Sequence, residues 1–198
     1  ELGLLDADFD TPPTAIDLDP AEHRALARRL AEESVVLLSN DGALPLAPTT
    51  TSRIAVIGPN ADSTEALMGC YSFVNHVLAH HPDTPAGIEL PTVTGSLRAE
   101  FPAADITSTI GCGVEGSDRS GIPAAVEAAA AADVAIVVVG DRAGLFGRGT
   151  VGEGNDVDDL ELPGVQRELV EAVVATGTPV ILIAMTGRPY VLCLLYTS

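Results

Sequence analysis

"DVAIVVVGD", residues 133–141, sets six apolar residues and a glycine between two aspartates without a polar break. Continuous rather than alternating hydrophobicity is the pattern of a strand buried on both faces, as in a parallel sheet. An alanine-rich helix pattern over about 122–132, with Pro123 in its first turn, runs straight into it. Upstream, "RIAVIGPNAD" (53–62) is a β-branched run closed by Gly58-Pro59, and "DITSTIGC" (105–112) is a weaker strand. Downstream, Val165, Leu169 and Val173 fall at i, i+4, i+8 of a second amphipathic helix that ends at Gly177, and "PVILIAMTG" (179–187) is the last strand. Strands alternating with helices predict an α/β fold: a mostly parallel sheet flanked by helices on both faces, with right-handed crossovers. In such sheets ligands gather beyond the carboxyl ends of the strands.

Outward from this centre the signals weaken. Residues 1–18 are rich in Pro and Asp without a sustained period and read as a linker. At Asp19 a helix is expected to start, with Asp19 as cap, Pro20 at the first position and Glu22 three residues on. Leu26 and Leu30 share one stripe of it, and "SVVLLSNDGALPL" continues as an extended apolar segment to the turn signal Asn40-Asp41-Gly42. The chain opens on Glu1 without an initiator Met, which reads as a start inside a longer protein, and 193–198, "CLLYTS", reads as a non-native tail. The compartment is not legible.

Composition narrows the function classes. The 198 residues are 46% hydrophobic, yet the apolar runs are far shorter than the roughly 20 residues a membrane helix needs. Three scattered cysteines make neither a disulfide framework nor a Cys-rich metal site. A formal net charge of -18 repels nucleic acid and anionic membrane surfaces.

The exceptional segment is the one that follows "DVAIVVVG". Gly140 to Leu162 spans 23 residues where an α/β unit needs about 2 to 6. Within it "GRGTVGEGND" (147–156) contains G-x-G-x-x-G, but the first glycine does not directly follow the strand and the third opens no helix, so the dinucleotide context is missing. Asp156, Asp158 and Asp159 likewise lack the spacing of a calcium loop. Two readings stay open from the residues alone: a solvated acidic loop, or a glycine-rich tether presenting Glu153.

Five blocks in order, "ESVVLLSNDGALPL", "RIAVIGPNAD", "AADVAIVVVGD", "GEGNDVDDLELPGVQRELVEAV" and "PVILIAMTGRP", resemble the C-terminal α/β sandwich domain of family 3 glycoside hydrolases, the β-glucosidase and β-xylosidase family. The resemblance runs over about 21–190, making 19–192 that domain and 1–18 the link to a preceding (β/α)8 barrel. It implies an exo-acting retaining β-glycosidase acting on a β-linked oligosaccharide or glycoside without metal or cofactor. The nucleophilic Asp would lie on the barrel and the general acid/base, Glu153, on this domain. Retention needs carboxyls about 5 to 5.5 Å apart, which gives a long supple loop a purpose. Asp141 and Arg142 are expected near the substrate, Asp141 or Asp156 adding like-charge repulsion at Glu153. Tyr71 in "MGCYSFVNH" is the candidate platform for the leaving-group sugar, with Phe73 or Phe146 behind it. His76, His80 and His81 complete no ligand pattern, and Arg188 and Tyr190 are expected to close the sandwich. Val157 stands where the family commonly has Arg, with Arg142 or Arg148 as substitutes for the ion pair that would order the loop. The competing class is a non-catalytic α/β module that binds carbohydrate or nucleotide. The sugar cleaved is not legible.

Overall fold

The computed structural model describes Asp17 and residues 19–192. The tail reading for 193–198, and the linker reading for 1–18 apart from Asp17, lie outside the described residues. The chain forms two compact units, Glu1–Ser39 and Asn40–Ser198.

In the first unit, α1 spans Ala21–Ser34. The expected cap differs: Pro20 holds the cap position, its carbonyl accepting from His23 N at 3.0 Å, while the Asp19 carboxylate receives the Arg24 guanidinium instead. Pro20 has no side-chain acceptor, so the first-turn amides go without the reciprocal pairing that Asp19 and Glu22 would have made. Exposed i,i+4 pairs Arg28–Glu32 and Arg29–Glu33, both at 2.8 Å, add a few tenths of a kcal/mol each. Leu26 and Leu30 are exposed, Val35 is extended, and residues 35–38 enter no strand.

The second unit is built on four parallel strands: β1 Arg53–Ile57, β2 Asp105–Thr109, β3 Val134–Gly140 and β4 Val180–Met185, ordered β2-β1-β3-β4. The run that opened the sequence reading is β3, buried at every residue. Its pleat divides the core. Ala135, Val137 and Val139, with Ala55 and Ile57 of β1, face α3 (Ile122–Ala130) and α4 (Gln166–Val174) through Ala125, Ala129, Leu169, Val170 and Val173. Val134, Ile136 and Val138, with Ile54 and Val56, face the other layer, where Val93 and Leu97 of α2 (Val93–Glu100) pack. Helices therefore cover both faces, as the sequence predicts.

α2 has no counterpart in the sequence reading. Thr92 caps it by accepting from Gly95 N at 2.9 Å, a start signal followed by only eight residues that include Thr, Gly and Ser. Short helical turns also occupy Glu65–Leu67 and Val74–Leu78. Asp133, at the foot of β3, accepts from Arg53 N at 2.9 Å and from the Arg53 guanidinium at 2.8 Å, which holds its carboxyl below the usual range. Cys112 is buried in the core, and burial pushes its thiol up to about 11.

β1 sits between β2 and β3, so the crossover after β1 runs to one side, to β2, and the crossover after β3 runs to the other, to β4. The gap between the carboxyl ends of β1 and β3 is the switch point of the sheet. Asn60, just past β1 and fully buried, bridges that gap by donating to Asp141 O at 3.0 Å. Gln166, also fully buried at the start of α4, clamps the end of β3. Its Oε1 accepts from Gly140 N at 2.7 Å, and its Nε2 donates to Gly140 O at 2.8 Å and Val114 O at 2.7 Å. Gln166→Leu keeps volume and strips all three bonds from buried backbone. It is expected to lower unfolding stability by about 2 to 4 kcal/mol, read from the denaturant midpoint at unchanged slope.

Candidate active site

The long loop leaves β3 at Gly140, whose φ is +124°; a Cβ there would lie 2.1 Å from Met185 O of β4, so the strand can end this way only on glycine. The loop is folded rather than loose. Thr150 N donates to Arg142 O at 2.8 Å, Gly144 N donates to Val151 O at 3.0 Å, and Ala143 forms a parallel bridge with Val151, so the chain circles round and runs alongside itself in the same direction. Phe146, 74% exposed and at φ +55°, turns the far end together with Gly147.

Three contacts from outside hold this doubled strip. Beneath it, Asp141 is 4% exposed; its Oδ1 accepts from Thr150 Oγ1 at 2.9 Å and from the Tyr190 hydroxyl, and its Oδ2 accepts from Gly187 N at 3.0 Å. Burial first, then the bond to Asp141, pushes the Tyr190 phenol well above its ordinary value. From β4's end, Arg188 Nη2 donates to Thr150 O at 3.0 Å and Asn155 O at 2.7 Å. From the segment after β1, Cys70 Sγ donates to Gly144 O at 3.0 Å and accepts from Glu153 N at 3.3 Å.

Glu153 sits exposed at the return of the loop, and its Oε2 accepts the Tyr71 hydroxyl. That hydrogen bond is the first cause, and the carboxylate's charge the second, of a Tyr71 phenol held above its ordinary value. Two residues from distant parts of the sequence, each following one of the strands that flank the switch point, thus meet side chain to side chain. The arrangement offers an accessible carboxyl able to exchange a proton, beside an aromatic face that is 67% exposed.

The other expected residues fall elsewhere. Asp141 lies under the loop with its carboxylate occupied by three donors, which corrects the expectation that it binds substrate or faces Glu153. Arg142 is half-buried and reaches Glu65 Oε2 at 3.5 Å. Arg148 is exposed and makes no ion pair among the described residues, and Val157 is also exposed. The loop is ordered by Arg188 and by Asn155, which donates to Arg148 O at 2.8 Å, with the Arg142–Glu65 ion pair at its neck and none from Arg148 among the described residues. Arg188 serves the loop, while Tyr190 both bonds Asp141 and packs against the core that α3 and α4 cover, as expected of a residue that closes the sandwich. A cavity of about 640 Å³ on another side of the loop is lined by Glu115, Asp156, Asp158, Asp159 and Tyr190 among others, and neither Glu153 nor Tyr71 reaches it.

Comparison with known proteins bears directly on this geometry. The model of the glycosyl hydrolase family 3 C-terminal domain matches residues 35–195. The chain belongs to this family. A β-xylosidase of Formosa agariphila is 36% identical over 195 residues, covering 96% of this chain and 25% of that protein. The periplasmic β-glucosidase of Salmonella typhimurium is 35% identical over 196 residues, covering 92% and 25%. Among solved structures, a β-glucosidase involved in saponin metabolism from intestinal bacteria superposes with a TM-score of 0.76 at 28% identity over 87% of this chain and 26% of that one. A β-glucosidase from Listeria innocua gives 0.69 at 26% identity over 98% and 24%. The chain thus spans about a quarter of the length of these relatives, and it is the family 3 C-terminal domain that they share with it.

Arg188→Ala removes both donors to the loop carbonyls. Amide exchange over 147–157 is expected to quicken by about tenfold or more while the β3 amides stay protected, as local opening separates from global unfolding. Hydrogen exchange read by mass spectrometry checks this.

Proposed function

We propose that this domain serves a retaining, exo-acting β-glycosidase of the β-glucosidase or β-xylosidase type, to which it contributes Glu153 as general acid/base and Tyr71 as part of the leaving-group site. The observation that carries the reading is the placement of Glu153: an accessible carboxyl, anchored by backbone and side chain, at the strand-end switch point of a family 3 C-terminal domain. The partner implied is a (β/α)8 barrel of the same protein, supplying the nucleophilic Asp and most of the pocket for the cleaved sugar.

The chemistry runs in two steps. Glu153, protonated, gives its proton to the glycosidic oxygen as the barrel carboxylate attacks the anomeric carbon, so the leaving group departs neutral and the glycosyl-enzyme forms. Glu153, now ionised, takes a proton from water, whose oxygen attacks the same carbon and frees the nucleophile. Both steps need the carboxyl about 5 to 5.5 Å from the nucleophile, a distance a doubled and pinned loop can hold better than a mobile one. Asp141 enters as the anchor of that loop. Arg142 pairs with Glu65 at the loop's neck, and its substrate-side role in this scheme is to line the leaving-group side. The separated domain, without the nucleophile, has no turnover in this scheme.

In the complete enzyme Glu153→Ala is expected to slow glycosides with poor leaving groups by about 10² to 10⁴-fold and activated aryl glycosides much less in the glycosylation step. Steady-state kcat/KM across a leaving-group series measures it. Equal losses across the series would remove Glu153 from the role.

A further inference from the structure

Tyr71 offers the cleft more than a ring. Its hydroxyl donates to Glu153 Oε2, while the residue before it, Cys70, takes the Glu153 N–H on its sulfur at 3.3 Å. One dipeptide from the segment after β1 therefore fixes both the carboxyl and the backbone of a residue 82 positions away. Among the described residues nothing donates to the other carboxyl oxygen, Oε1, which is left for the proton exchanged with substrate and water.

We propose that Tyr71 is a positioning residue for the acid/base, its hydroxyl holding the ionised carboxylate of Glu153 by Oε2 so that Oε1 faces the attacking water. This rests on Glu153 being the acid/base. Tyr71 keeps its proton throughout. When Glu153 has given its proton to the departing oxygen, the phenol O–H to carboxylate bond becomes charge-assisted and strongest. When Glu153 takes a proton from water on Oε1, the charge disperses and the bond weakens. A phenol held above its ordinary value by this same contact stays a donor over the working pH range.

The ionisable groups set against the pair are few. Cys70 touches the Glu153 backbone, and His76, on the Val74–Leu78 turn, stands with its ring centroid 6.5 Å from that of Tyr71. Arg142 is turned to Glu65, and Arg148 makes no ion pair among the described residues.

A hydrogen bond to the ionised form favours it, so removing the donor lets the protonated form persist to higher pH. Glycosylation requires that form. In the complete enzyme Tyr71→Phe should therefore move the alkaline limb of the kcat/KM profile upward by about 0.5 to 1 pH unit. The ring remains, so KM for aglycone-bearing substrates is expected to change by less than about twofold, whereas Tyr71→Ala should raise it further. His76→Gln should leave the limb where it is. If Glu153→Ala shows its leaving-group-selective loss and the limb of Tyr71→Phe does not move, the positioning role is overturned while the acid/base reading stands. If Glu153→Ala slows all leaving groups equally, the acid/base reading itself fails and the role of Tyr71 with it. A limb that moves in His76→Gln and not in Tyr71→Phe assigns the effect to the imidazole and overturns the proposal.

Discussion

One buried carboxylate governs the architecture of the site. Asp141 is the first residue beyond β3, and its two oxygens bind donors from three places: Thr150 on the return of the loop, Gly187 just beyond β4, and Tyr190 two residues past the turn. A charge at 4% exposure is costly unless it is hydrogen-bonded, and these donors satisfy it. The reciprocal constraint falls on the loop, since Thr150 must stay over Asp141 for the carboxylate to remain satisfied. A segment of this length with six glycines would otherwise lose far too much chain entropy on ordering.

The sheet then decides what the pinned loop can meet. Because β1 and β3 are neighbours although β2 intervenes in sequence, the segments that follow them emerge side by side. Asn60 and Asp141 register this directly across the strand ends, and Cys70 and Tyr71 extend the same contact to Gly144 and Glu153. No long-range device is needed to bring Tyr71 and Glu153 together. A doubly wound order with one extended loop on each side of the switch point suffices.

What the sequence made legible follows from where the information lies. β3 shows as a continuous apolar run because both its faces are buried, and α4 shows because Leu169 and Val173 repeat at the helical period. Glu153 stands out through its glycine neighbours and the family blocks around it. The loop-holding roles of Cys70, Arg188 and Gln166 left no such trace, because each acts on backbone atoms contributed by residues 26 to 83 positions away. A carbonyl has no letter in a sequence. Asp141 misled for the opposite reason: an acidic residue opening a functional loop looks exposed, and only the packing of Tyr190 and Gly187 over it reveals an anchor. Asp19 misled by proximity, as a carboxylate beside Arg24 pairs with it more readily than it caps the helix.

The rigidity of the loop and the openness of Glu153 answer different needs. Desolvation is one means by which enzymes tune a carboxyl, and it requires walls. Among the described residues, those that bond Glu153 are Tyr71, Cys70 and Gly147. At Gly152, at φ +116°, a Cβ would come within 2.3 Å of Gly144 O and 2.8 Å of Cys70 Sγ, so the backbone beside the carboxyl is as close to its support as atoms allow. The side chain is thus fixed in position but unfinished in environment. A fixed, open carboxyl is suited to a surface that another body completes, whereas a self-contained site would have closed its own walls over it. Electrostatic preorganisation depends on placing groups before a reaction begins, and in the proposed reaction placement is what this domain would provide.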